Sequence, residues 1–394
     1  MNNFYHRHAR RLCMVALAAT VSACAIVPHH GAYRQRNLVA DSPAIPSEHK
    51  DPNLVNPWGI AFNPYGVVWV SDNRTGLSTL YDGNGVPQSL VVRVPGPSAT
   101  VTGTPTGIVF YGGNAFTVSQ AGVTGPSRFI FASEDGGIAG WAPNVNLTNA
   151  IRVVPTGPGN PLYTGLAIGA GGTGGLLYAA DFRNGKVDVF NSTFARVTLP
   201  GTPFTDPYLP HGYAPFGLQQ INGDIYVTYA RHSATPGRAE AGHGLGFVSV
   251  FDPNGVFVRR LVSRGPLDAP WGLALAPASF GALANRLLVA NHGDGTIHAF
   301  DLDSGDYRGQ VRHPGGRPVR VDGLWGIAFG SGVANQPTNT LFFTAGPRGG
   351  AHGLYGRLDV ATTVALAPAE GVAEPAAPQA RLTVARDVGP ATDR

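Results

Sequence analysis

Seven polar residues in this 394-residue chain stand where a β-branched or aromatic run ends and a tight turn begins: Asp72, Asn73, Glu134, Asp135, Asp181, Asn291 and His292. An eighth, His211, stands just ahead of another such run. Carboxylate and amide oxygens are the ligands Ca²⁺ takes, and imidazoles widen the choice to other divalent cations that polarise carbonyls or activate water. Asp and Asn also build tight turns by bonding their own backbone, so residue type and spacing leave both roles open.

What must position these residues is a repeat. Trp58-Gly59-Ile60, Thr106-Gly107-Ile108, Thr164-Gly165-Leu166, Phe216-Gly217-Leu218, Trp271-Gly272-Leu273 and Trp325-Gly326-Ile327 follow one pattern, with glycines 48, 58, 52, 55 and 54 residues apart. A period near fifty built from short strands means one small sheet per repeat, set radially round a ring. After each signature comes a second run such as Val67–Ser71, Leu176–Ala180 or Arg286–Ala290, then a turn such as Arg183-Asn184-Gly185. A third run follows, such as Leu77–Tyr81 or Ile297–Phe300, and in most copies a fourth, such as Val256–Leu261. Asn-Gly and Asp-Gly suit hairpins because both residues accept positive φ.

Six four-stranded units predict an all-β, six-bladed β-propeller over residues 36–360. The sixth repeat lacks a good fourth run, whereas Arg36–Ala40 precedes the first repeat. That segment is therefore expected to supply the outer strand of the last blade and close the ring, leaving no exposed seam.

In such a ring the turns after the second strand and the loops before each signature share one face. The eight polar residues then gather round one mouth of the channel. Asp51, Asp206, Asp268 and Asp322 precede signatures on that face, and the long loop Arg231–Gly244 adds His232, Arg238, Glu240 and His243. Trp58, Trp271 and Trp325 are expected to pack between blades. Gly169–Gly175 reads as a flexible loop, since no helix follows it to receive a phosphate.

Residues 1–23 read as a signal peptide: His6, Arg7, His8, Arg10 and Arg11 precede an apolar stretch, Leu12–Val21, too short to span a bilayer. Val21-Ser22-Ala23-Cys24 resembles a bacterial lipobox, which makes Cys24 the expected lipidation site. Plain cleavage near Ala23 or Ala25, giving a secreted protein, is the alternative. Residues 24–35 read as a tether and 361–394, rich in Ala and Pro, as a flexible tail. The expected location is the periplasm or the outer membrane, with membrane contact through the lipid alone.

The only cysteines are Cys13 and Cys24, so the exported chain can form neither an intrachain disulfide nor a cysteine-based zinc site. The net charge of +4 includes three signal-peptide arginines, and no basic run with interleaved aromatics occurs, so nucleic acid is not an expected partner. A monomer is expected.

Asn37–Asp41, Asp51–Ile60, Trp69–Asn73 and Leu77–Tyr81 together resemble an uncharacterised family of exported bacterial proteins, some of which end in a PEP-CTERM sorting tail. The resemblance covers about residues 36–360 and implies a propeller and export, with no activity attached. This chain has Glu374-Pro375 but no membrane-spanning run after it. Leu177–Asp181 and Gly185–Phe190 are more distantly similar to NHL and gluconolactonase-like propellers. Two functions follow as expectations: a binding or interaction module for a protein, glycan or small molecule of the cell envelope, or a metal-dependent lactonase- or lyase-like enzyme with its site at the channel mouth.

Overall fold

A computed structural model of the chain describes residues 32–169 and 174–361. The signal segment, Cys24 and the tail lie outside the described residues. Six sheets stand round a ring, and a separate two-stranded hairpin accompanies the second. Their innermost strands are Pro57–Phe62, Pro105–Phe110, Tyr163–Gly169, Tyr213–Ile221, Pro270–Leu275 and Leu324–Phe329, each containing one signature glycine. We number the blades 1 to 6 in that order. The six-bladed propeller is thus the architecture of the chain.

Strand alternation builds the core. In blade 1, Val68 and Val70 point to one side of the sheet and Trp69 to the other. The first two join Leu38, Val39, Phe342 and Tyr355 in the seam with blade 6, while Trp69 joins Ile108, Phe129 and Trp141 in the seam with blade 2. Each remaining seam holds an apolar cluster of its own. A further cluster, containing the three signature tryptophans, lies over the bore.

The signature glycines have a steric cause. A Cβ on Gly59 would sit 2.5 Å from the Thr106 carbonyl oxygen, one on Gly272 2.5 Å from that of Trp325, and one on Gly326 2.7 Å from that of Trp58. Gly107 and Gly217 are blocked in the same way by backbone of the following blade, and a Cβ on Gly165 would be tight, 3.0 Å from the Gly217 Cα. Innermost strands approach so closely that only glycine fits. Hydroxyls clasp the same contacts: Thr344 Oγ1 accepts the Gly326 N–H at 3.0 Å and donates to the Trp58 carbonyl at 2.6 Å. Thr164 Oγ1 donates to the Phe216 carbonyl at 2.8 Å.

The ring closes as expected, with a longer clasp. Tyr33–Ala40 pairs antiparallel with Leu354–Val360, beginning three residues before the predicted start at Arg36. His49–Lys50 adds a fifth, parallel strand outside it. Cross-strand rows orient this clasp, since Gln35 faces Leu358, Leu358 faces Leu341, and Leu341 faces Phe329. The strand therefore starts at the face opposite the turns that carry the polar residues.

Candidate functional site

On the turn-bearing face the bore is capped. Trp58 and Trp325 stack with ring centroids 3.6 Å apart, and Trp271 meets Trp325 edge-on at 5.7 Å. Phe216, Phe182 and Leu162 complete the cap. Trp271 Nε1 donates to the Thr164 carbonyl at 3.0 Å, tying blade 5 to blade 3 across the axis. The tryptophans, expected to pack between blades, instead meet one another over the end of the bore and seal this mouth. The other mouth is a funnel of about 530 Å³ walled by the ends of the innermost strands, whose side chains are apolar except for Gln219, Gln220 and Asn222 of blade 4.

Beside the cap lies a cleft of about 410 Å³, walled by Asn56, Arg238, His292, Asp322, Trp325 and the glycines of the 346–350 loop. His292 stacks on Trp325 at 3.7 Å, and its Nδ1 faces the Leu324 carbonyl at 3.1 Å. As the donor must be Nδ1–H, this bond selects the tautomer whose Nε2 is a bare acceptor. Burial pushes the imidazole down to about 4, against the opposing pull of the Leu324 carbonyl; nearby Arg238 lowers it and Asp322 raises it. The ring is thus uncharged at neutral pH. Arg238 is exposed, and its guanidinium makes no ion pair or hydrogen bond among the described residues. Asp322 accepts the Arg348 N–H at 2.8 Å.

Asn56 is seated by local chemistry. Its backbone takes the left-handed φ of 51° that asparagine tolerates. Its side chain fills a notch left by Gly346 and Gly350, where a Cβ on Gly350 would sit 2.9 Å from it. From there a line of hydrogen bonds crosses the face. Trp325 Nε1 donates to Asn56 Oδ1 at 3.3 Å, Asn56 Nδ2 to Asn73 Oδ1 at 3.1 Å, and Asn73 Nδ2 to Glu134 Oε2 at 3.0 Å. Three of the eight residues singled out in sequence, Asn73, Glu134 and His292, are linked in this way through Asn56 and Trp325.

The other five stand apart. Asp135 is forked by Arg152, with both bonds near 3 Å, over the outer part of blade 2. Asp181 accepts the Leu162 and Asn184 backbone N–H groups and the Asn184 side chain, a turn-building role. Asn291 donates to the Pro266 carbonyl and to Asp294. His211 is exposed in the loop before blade 4. Asp72 is fully buried and faces the seam with blade 6 rather than the mouth.

Among the described residues no three His, Cys, Asp or Glu side chains group as metal ligands. Glu134, Asp135, Asp181 and Asp322 are each bonded to an amide, guanidinium or backbone N–H group, so these four do not form a donor set for a divalent cation at the mouth. Asn56 and Asp322 belong to the cleft, yet nothing in the sequence set Asn56 apart from other residues preceding a proline.

No protein-family model matches the chain. A glucose dehydrogenase of solved structure superposes with a TM-score of 0.50 at 15% identity, over 79% of this chain and 98% of its own. Virginiamycin B lyase from Staphylococcus aureus superposes with a TM-score of 0.44 at 11% identity, over 82% and 87%. At 15% identity the likeness to the dehydrogenase is one of fold. An uncharacterized protein of Acanthamoeba polyphaga mimivirus is 34% identical over 357 residues, spanning 86% of this chain and 85% of the relative. Over that span and at that identity, the chain belongs to the same family as this mimivirus protein.

Proposed function

We propose that the protein is an exported, lipid-anchored binding module of the cell envelope that captures a small anionic ligand in the cleft between Arg238 and His292. The observation that carries this reading is an uncommitted guanidinium beside a neutral imidazole acceptor, above a bore sealed by tryptophan. A guanidinium pairs with carboxylate or phosphate oxygens, and Nε2 of His292 accepts a hydroxyl proton from the same ligand. An imidazole held near 4 makes a steady acceptor at neutral pH and a poor proton shuttle, which favours binding over acid–base turnover.

The lipobox-like Val21–Cys24 and the basic segment before it support export and acylation of this chain, although the curated relative is viral. Strand Tyr33–Ala40 starts at the funnel face, opposite the cleft, so an anchor at Cys24 would join the ring on the side away from the cleft. A metal-dependent lactonase- or lyase-like activity finds no supporting donor set at this mouth.

Calorimetric titration of the mature chain with small carboxylates, phosphates, acidic sugars and their neutral counterparts tests the reading. Binding should be confined to anionic members and weakened about tenfold or more in Arg238→Ala, the loss of one charge-assisted pair. Equal binding of neutral sugars, or unchanged affinity in Arg238→Ala, would overturn it.

A further inference from the structure

The seam between blades 1 and 6 contains a carboxylate with no counter-charge. Asp72 is fully buried, and neither carboxylate oxygen has a hydrogen-bond partner. In the register of blade 1, Thr79 lies diagonally across from Asp72 on the same sheet face. Its hydroxyl, 1% exposed, also lacks a well-formed hydrogen bond. Asp51, itself buried, sits near enough for its charge to bear on Asp72. Tyr81 donates to Asp51 Oδ2 at 2.9 Å, and the Asn53 N–H occupies Asp51 Oδ1 at 2.9 Å. The groups that bear on Asp72 are Asp51, Tyr81 and the hydroxyl and N–H of Thr79, with no Lys, Arg or His among them.

We propose that Asp72, Asp51 and the Thr79 hydroxyl hold a Ca²⁺ ion that locks the first blade to the last. Two carboxylates call for two positive charges, and every side-chain donor offered is a hard oxygen. Ca²⁺ accepts an irregular, partly dehydrated oxygen cage, whereas Mg²⁺ gives up its water reluctantly. Burying an ionised carboxylate without a partner is costly, so an ion here relieves the penalty where the ring must close. This site is independent of the cleft and of what the cleft binds.

The test uses the mature chain, stripped with chelator and then titrated with CaCl₂, with MgCl₂ and NaCl as controls. Ca²⁺ in large excess over its dissociation constant should raise the melting temperature by about 5 °C or more. Tb³⁺ should bind stoichiometrically, emit on excitation of the aromatic rings, and be displaced by Ca²⁺. Asp72→Asn should lose both responses, and Thr79→Val, which keeps the shape of the side chain, should weaken them. Absence of a Ca²⁺ response in the wild type would overturn the proposal, as would a response retained in Asp72→Asn or one given by Mg²⁺ or Na⁺ in place of Ca²⁺. Should Asp72→Asn fail to fold, Thr79→Val and Asp51→Asn carry the same test.

Discussion

Trp325 stacks on Trp58 with ring centroids 3.6 Å apart, although the two are separated by nearly the whole ring in sequence. Directly beneath the stack, Gly326 lies against the Trp58 carbonyl, and Thr344 bonds to that same oxygen. The last blade is therefore held to the first by a ring stack, a glycine contact and a hydroxyl clasp, with strand Tyr33–Ala40 closing the outer edge. The described part of the chain contains no cysteine, so this closure is entirely noncovalent.

A methyl group at the glycine contact should break it. Gly326→Ala would place Cβ 2.7 Å from the Trp58 carbonyl oxygen, and backbone cannot step aside as a flexible side chain can. The expected loss is about 1–3 kcal/mol in urea unfolding. Gly315→Ala, where nothing lies within 4 Å, should stay within about 0.5 kcal/mol of the parent.

The outer clasp matters as much. Deleting residues 33–40 strips the partner from Leu354–Val360 and exposes Tyr355 and Leu358, both fully buried in the intact ring. The expected outcome is loss of a cooperative melt and association through the bared edge, seen by circular dichroism and size exclusion. A truncated chain that melts like the parent would show that closure does not depend on this strand.

Acid should weaken the fold before the carboxylates titrate. His292 and His298 are both pushed down to about 4, chiefly by burial, whereas a histidine in the unfolded chain titrates near 6.5. Between those values the unfolded state binds more protons, so stability is full above about pH 6.5 and falls as pH drops towards 4. Each group accounts for up to about 3 kcal/mol over that window. Melting temperature against pH should show the slope, and His298→Gln should flatten part of it.

Asp72 works in the opposite sense once Ca²⁺ is chelated. Burial, with Asp51 adding to it and Thr79 opposing it, holds its carboxyl well above the ordinary carboxylate range. The folded state then keeps a proton that the unfolded state releases near pH 4. This contribution is complete below that value and is lost as pH rises through the raised one. In chelator, Asp72→Asn should therefore gain on the parent as pH rises. Ca²⁺ should abolish the difference in slope by stabilising the ionised pair.

Export and acylation are open to direct labelling. In a bacterial host the parent should incorporate a fatty-acid probe and sediment with membranes, while Cys24→Ala should be unlabelled. An unlabelled, soluble parent would favour the secreted alternative.

The ring was legible because its steric cause is written in one residue type. Six glycines near a common spacing mark where backbones touch, and turns such as Arg183-Asn184-Gly185 mark the hairpins between. The Thr117–Gln120 and Val123–Pro126 hairpin was not legible, because its turn uses Ala121 at φ 50° before Gly122 at φ 81°, where Asn or Asp is the usual signal. The cleft was only partly legible. His292, Arg238 and Asp322 stood out, but Asn56 joins them from the first blade only through ring closure. Asp72 reads as a turn residue in sequence, and its burial follows from which side of the sheet faces blade 6, a matter of register rather than residue type.

The most direct measurement is calorimetric titration of the mature protein and of Arg238→Ala with matched anionic and neutral sugars. The account predicts that an acidic sugar binds the parent at one site per chain and binds the variant at least about tenfold more weakly, with the melting temperature unchanged. Equal affinity in the two proteins, or equal affinity for the neutral sugar, would contradict it.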